Sequence, residues 1–140
     1  MQIADVKRQV TATIERAKRN AAERRARSDE ASREYDALVS DVAIPLLRQI
    51  ANVLRSRGYA FSVATPGGSA RLMSDASDDY IELRLETTGD RPQVLVHTKR
   101  ARGRRVVETE RPIGSGAIRD LTEEELLAAI LKELEPFVER

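Results

Sequence analysis

Residues 3–58, IADVKRQVTATIERAKRNAAERRARSDEASREYDALVSDVAIPLLRQIANVLRSRG, hold one proline, Pro45, and no glycine before the closing Gly58. Such a run predicts nearly continuous helix, ended by a glycine able to adopt the left-handed cap. Taking Val10, Ile14, Ala17, Ala21, Arg24, Ser28, Ala31, Tyr35, Leu38 and Val42 in turn gives the four-then-three step of a heptad seam, which only Arg24 and Ser28 break. The stripe is thin, because its middle is alanine, which favours helix but buries little area, and its flanks are Glu, Arg and Lys. At ~1.5 Å per residue the helix would span about 80 Å, too long for a small domain to cover. It therefore needs a partner helix.

Two irregularities bear on what that partner is. Ser28-Asp29-Glu30 has the form of an N-cap with an acidic first turn, so a helix running through Ser28 and a hairpin of two shorter helices both stay open. The absence of glycine and proline before Pro45 favours continuity. Pro45 has no N–H for the carbonyl of Asp41, which predicts a kink or a fresh helix start near Ser40 and Asp41. On this reading residues 1–40 form an arm and residues 41–140 a compact unit.

After the arm the periodicity changes. Leu46, Leu47, Ile50, Val53 and Leu54 give a wide apolar face, that of a core helix. Residues 59–63 alternate as a strand, Pro66-Gly67-Gly68 turns the chain, residues 70–74 form a short strand, and residues 80–86 place Ile81, Leu83 and Leu85 on one face. Glu82, Arg84 and Glu86 fall on the other, as a solvated charge ladder. Residues 93–98 make a central strand, and residues 104–111 return as an edge. Thr122 and Glu125 have the spacing of a capping box, opening a helix with Leu126, Leu127, Ile130, Leu131, Leu134, Phe137 and Val138; Pro136 kinks or ends it. The fold class is thus α+β: a long coiled-coil-like arm, a helix, an antiparallel meander of four to five strands, and a C-terminal helix packed on one sheet face.

Composition narrows the chemistry. The chain has 24 Lys and Arg against 23 Asp and Glu, a net charge of +1, so no global field draws it to nucleic acid or membrane. Locally the balance is uneven: residues 7–27 hold eight basic and two acidic side chains, a net of +6, and residues 121–140 two and six, a net of −4. There is no cysteine, which excludes disulfides and thiolate chemistry. No apolar run approaches a membrane span and no signal sequence is evident, so a cytoplasmic protein without membrane association is expected. Aromatics at 4% leave few side chains on which single-stranded bases could stack.

The densest motif is at residues 99–105, where Lys99, Arg100, Arg102, Arg104 and Arg105 surround Gly103. A hairpin tip of this charge could straddle a phosphate backbone; the plainer reading is an edge protected from sheet-to-sheet aggregation. Arg24, Arg25 and Arg27 offer a second candidate polyanion surface, although Asn20 directly precedes Ala21-Ala22, unlike the basic region of leucine-zipper factors, and no leucine repeat follows. Asp75, Asp78 and Asp79 lack the spacing of a calcium loop and suit a solvated turn. His97 has no second imidazole and is expected to be an ordinary surface or hydrogen-bonded histidine. Gly114-Ser115-Gly116 leads into an acidic helix start, which repels anions. Ser69 and Ser115 lack an elbow motif and a base, and Glu30 and Glu34 lie in the charged arm without a cleft. Neither a catalytic constellation nor a metal or cofactor site emerges.

The order helix, antiparallel strands, helix is similar in outline to the small YbaB-type nucleoid-associated proteins, and Asp120-Leu121-Thr122-Glu123-Glu124-Glu125-Leu126-Leu127 resembles the start of their closing helix. The basic hairpin and the longer arm depart from that pattern. The resemblance implies nucleic-acid binding as the alternative function. The first expectation is a non-enzymatic oligomerisation or adaptor protein, a dimer or the partner of another helical protein. Its seam would be Val10, Ile14, Ala17, Ala21, Ala31, Tyr35, Leu38 and Val42.

Overall fold

The computed structural model describes residues 2–139. Helix α1, Ile3–Leu38, runs straight through Ser28, so of the two open readings the continuous helix is the one adopted. It passes through a π-helical turn, Val39–Ala43, into α2, Ile44–Ser56, with right-handed helical backbone at every junction. No fresh start occurs near Ser40. The wide turn is how the chain accommodates Pro45: the Ile44 N–H reaches back five residues to the Val39 carbonyl, and Pro45 sits in the first turn of α2, where a missing N–H is tolerated. The turn also spends an extra residue and so rotates the buried face, from Ala31, Tyr35 and Leu38 to Ala43, Leu47 and Ala51 with Leu46, Ile50 and Leu54.

Gly58, at φ +90°, ends α2. The Tyr59 and Gly58 N–H groups return to the carbonyls of Leu54 and Arg55, which caps the helix as the sequence predicts.

Five strands follow, β1 (Phe61–Ala64), β2 (Arg71–Ser74), β3 (Tyr80–Glu86), β4 (Gln93–Arg102) and β5 (Arg105–Ile113), all antiparallel and side by side in chain order. The register pairs Leu72 with Ile81, Leu83 with Val96 and Val94 with Ile113, so these share one face, buried against α2 and α3. Helix α3, Glu123–Val138, contains Pro136 and ends two residues beyond it. Thr122 accepts the Glu125 N–H at 3.1 Å, and the Glu125 carboxylate accepts the Thr122 hydroxyl at 3.2 Å. Phe61 and Phe137 meet edge to face, 6.4 Å between centroids, tying β1 to α3.

The joining of α1 to α2 bears on the expectation that no apolar run approaches a membrane span. The 54-residue helix Ile3–Ser56 contains an 18-residue window of mean hydropathy 1.4, long and apolar enough by composition to cross a membrane, with 44% of it buried inside the protein. Burial of Leu46, Leu47, Ile50, Ala51 and Leu54 beneath a face that exposes Arg48, Gln49, Asn52 and Arg55 is the pattern of a core helix.

Candidate functional site

The seam divides in two. Ala31, Tyr35 and Leu38 are buried in the chain's own core and Val42 packs against it. Tyr35 donates its hydroxyl proton to Ser69 Oγ at 2.9 Å, since Ser69 in turn donates to the Leu83 carbonyl. Burial, the largest influence, raises the Tyr35 pKa above the ordinary 10.0. Val10 and Ile14, by contrast, are 52% and 48% exposed, Ala17 is exposed, and Ala21 is partly covered. Ile3 and Val6, outside the heptad reading, extend the open stripe to the start of the helix. The uncovered part of the stripe therefore runs from Ile3 to Ala21.

The two candidate polyanion groups are not brought together. Arg24 and Arg27 line a cleft with Ser28, Thr87, Thr88, Gly89, Asp90 and Pro92, at the β3–β4 turn; Arg25 lies exposed beside them in sequence. The tip carrying Arg102, Arg104 and Arg105 is at the opposite end of β4, roughly 30 Å away at ~3.4 Å per residue. Gly103, at φ +63°, provides the left-handed residue of that two-residue turn. Arg102, Arg104 and Arg105 are exposed, Lys99 and Arg100 half-buried, and among the described residues none of the five is in an ion pair.

Asp79 departs from the solvated turn expected of it. It is 3% exposed and its carboxylate accepts the Ala101 N–H at 2.8 Å, bracing β4 just before the tip. Asp75 is held by Arg55 at 2.7 Å and Ser62 at 2.6 Å. Among the described residues no three His, Asp or Glu side chains converge as metal ligands.

The outer sheet face, opposite the one buried against α2 and α3, differs most from its sequence reading. Glu82 is outward-facing but only 5% exposed, bridged by Arg71 at 3.0 Å and Arg84 at 2.9 Å, while Arg71 also lies 4.0 Å over the Tyr80 ring. Cross-strand from Glu82 stands His97, itself 6% exposed. Its Nδ1 is 3.5 Å from Glu110 and its Nε2 3.8 Å from Glu108, and neither nitrogen has a hydrogen-bond partner among the described residues. The signal that would have found this cluster is strand register, which sets Glu82, His97 and Glu110 in one row across three strands.

A cleft of about 530 Å³ lies between α1 and the segments flanking β4 and β5. Its floor is Ala26, Ala31, Pro92, Ala117 and Ile118, and its rim includes Arg27, Arg91 and Arg119. The rim carboxylates Glu30 and Glu34 are each within reach of an arginine, Arg33 at 2.5 Å and Arg119 at 3.5 Å. With the geometry in place, comparison with family models, curated proteins and solved structures yields no match.

Proposed function

We propose that the chain is a non-enzymatic oligomerisation or adaptor protein that associates with a second copy, or with a helical partner, through the free half of α1. The observation that supports this is the open stripe of Ile3, Val6, Val10 and Ile14 on a helix whose other end is anchored in the core. Four large aliphatic side chains at helical spacing, each 45–88% exposed, gain stability only when something covers them. Removing residues 1–24 tests the reading. Light scattering should show a smaller assembly while the melting temperature of the remainder holds. An unchanged mass would refute it.

A second reading, sequence-independent nucleic-acid binding, is favoured by one observation: the exposed tip arginines form no ion pair among the described residues. Replacing Arg102, Arg104 and Arg105 by alanine should then lower affinity for duplex DNA or RNA and flatten its salt dependence by up to about three units of slope. The comparisons add nothing to the outline likeness with nucleoid-associated proteins, so this reading stands on the tip alone.

A further inference from the structure

We infer that the free arm docks in the groove between α2 and α3 of a second copy of this chain, two protomers exchanging arms. The inference rests on the arm being an association element and names the surface that receives it.

The groove is a second surface of the molecule that leaves large aliphatic side chains open. Leu46, Ile50 and Val53 of α2 face Leu127, Leu131 and Leu134 of α3 across about 280 Å³, with Val53 62% and Leu131 46% exposed. A chain cannot fill its own groove with its own arm, because α1 is unbroken from Ile3 to Leu38 and runs away from the domain it is rooted in. The stripe from Ile3 to Ile14 is about 16 Å long and α2 about 20 Å, so the arm matches the groove in length.

Charge selects this occupant over a second arm. On α3, Glu124 stands three residues before Leu127 and Glu135 four after Leu131, which puts both exposed carboxylates on the groove side. On α1, Lys7 stands three residues before Val10 and Lys18 four after Ile14, which puts both ammonium groups on one flank of the stripe. Eleven residues separate each pair, about 16 Å along either helix, so the two lysines can meet the two glutamates in one register. Two arms paired in parallel would instead set Lys7 beside Lys7 and Arg24 against Arg24, within segments of net +6. Reciprocal exchange buries both stripes and both grooves and closes as a two-fold dimer.

The cysteine-free chain makes the test direct. Ile14→Cys and Leu131→Cys full-length variants, mixed and oxidised, should cross-link to each other much more than either does to itself. Lys7→Glu with Lys18→Glu should weaken dimerisation by about tenfold or more, and adding Glu124→Lys with Glu135→Lys should restore it. Val53→Asp, at an exposed position, should lower the mass without lowering the melting temperature. If Ile14→Cys cross-links chiefly to itself and Val53→Asp leaves the mass unchanged, arms pair with arms; groove docking is then overturned while association through the arm stands. A wild-type chain that stays monomeric at high concentration overturns both.

Discussion

The two ends of the long helix make an instructive comparison. The segment from Ala31 to Ser56 and the segment from Ile3 to Ala26 are equally helical, and each carries aliphatic residues at helical spacing. The first has a sheet beneath it and buries Leu38, Leu46, Leu47, Ile50 and Leu54; the second touches the domain only at its root, where Arg24 and Ala26 line clefts, and otherwise meets solvent. The difference lies in side-chain area rather than backbone preference. The arm is rich in alanine and long charged residues, and leucine is absent before Leu38, so it holds its helix by propensity and by pairs such as Asp5–Arg8 at 2.8 Å. Helical periodicity alone does not say which part of a stripe a protein keeps for its own core.

Five variants would break or sharpen that contrast. Leu47→Ala removes a side chain that is 1% exposed and should cost about 2–5 kcal/mol in chemical denaturation, whereas Ile14→Ala should cost under about 0.5 kcal/mol in the dissociated chain. Equal costs would mean that the arm belongs to the fold. Glu82→Ala, which strips the carboxylate from between Arg71 and Arg84, should cost about 1–3 kcal/mol, tempered by the partial exposure of both arginines. A loss under 0.5 kcal/mol would make the outer-face network decorative.

Tyr35→Phe should cost about 1 kcal/mol near neutral pH, the worth of the bond to Ser69. Its pH signature is specific. The folded chain keeps the Tyr35 proton to higher pH than the unfolded chain does, so ionisation of the unfolded chain withdraws stability as pH rises through 10.0 toward the raised folded value. Urea titrations of Tyr35→Phe should show a shallower decline in that window; an identical decline would remove Tyr35 as its source. The smallest effect on stability is expected from alanine at Arg102, Arg104 and Arg105, which should leave the melting temperature within about a degree and act only on polyanion affinity. A large loss of stability would give the tip a structural role.

How much the sequence disclosed can be judged element by element. Alternation in residues 80–86 and the apolar run at residues 94–96 announced β3 and β4, and Gly58 and Thr122 marked their helix ends, because each signal is carried by a few adjacent residues. β4 and β5 extend further than their aliphatic residues suggest, since main-chain pairing carries the ladder through Arg100, Ala101 and Val106 to the tip. The role of Asp79 and the burial of His97 and Glu82 depend on which strands become neighbours, and periodicity along one strand holds no record of that. The wide turn at Val39–Ala43 was legible only as trouble around Pro45. Whether that trouble becomes a break or an added residue is decided by Val39 and Ala43, both of which reach the core. For the candidate site, the stripe through Val10 and Ile14 was plain, and its division at Ala31 was not.

An unbroken helix rooted in a packed core is also a lever. From Ala26 to Ile3 the free shaft is about 35 Å, so a tilt of only ~10° at its root would carry the tip some 6 Å. Force applied at Ile3 is delivered first where α1 meets the turn Ile118–Asp120, beside the Glu34–Arg119 pair. Whatever grips the end of the shaft thereby holds a mechanical handle on the interior, with the Tyr35–Ser69–Leu83 relay as a side-chain link from the shaft to the sheet.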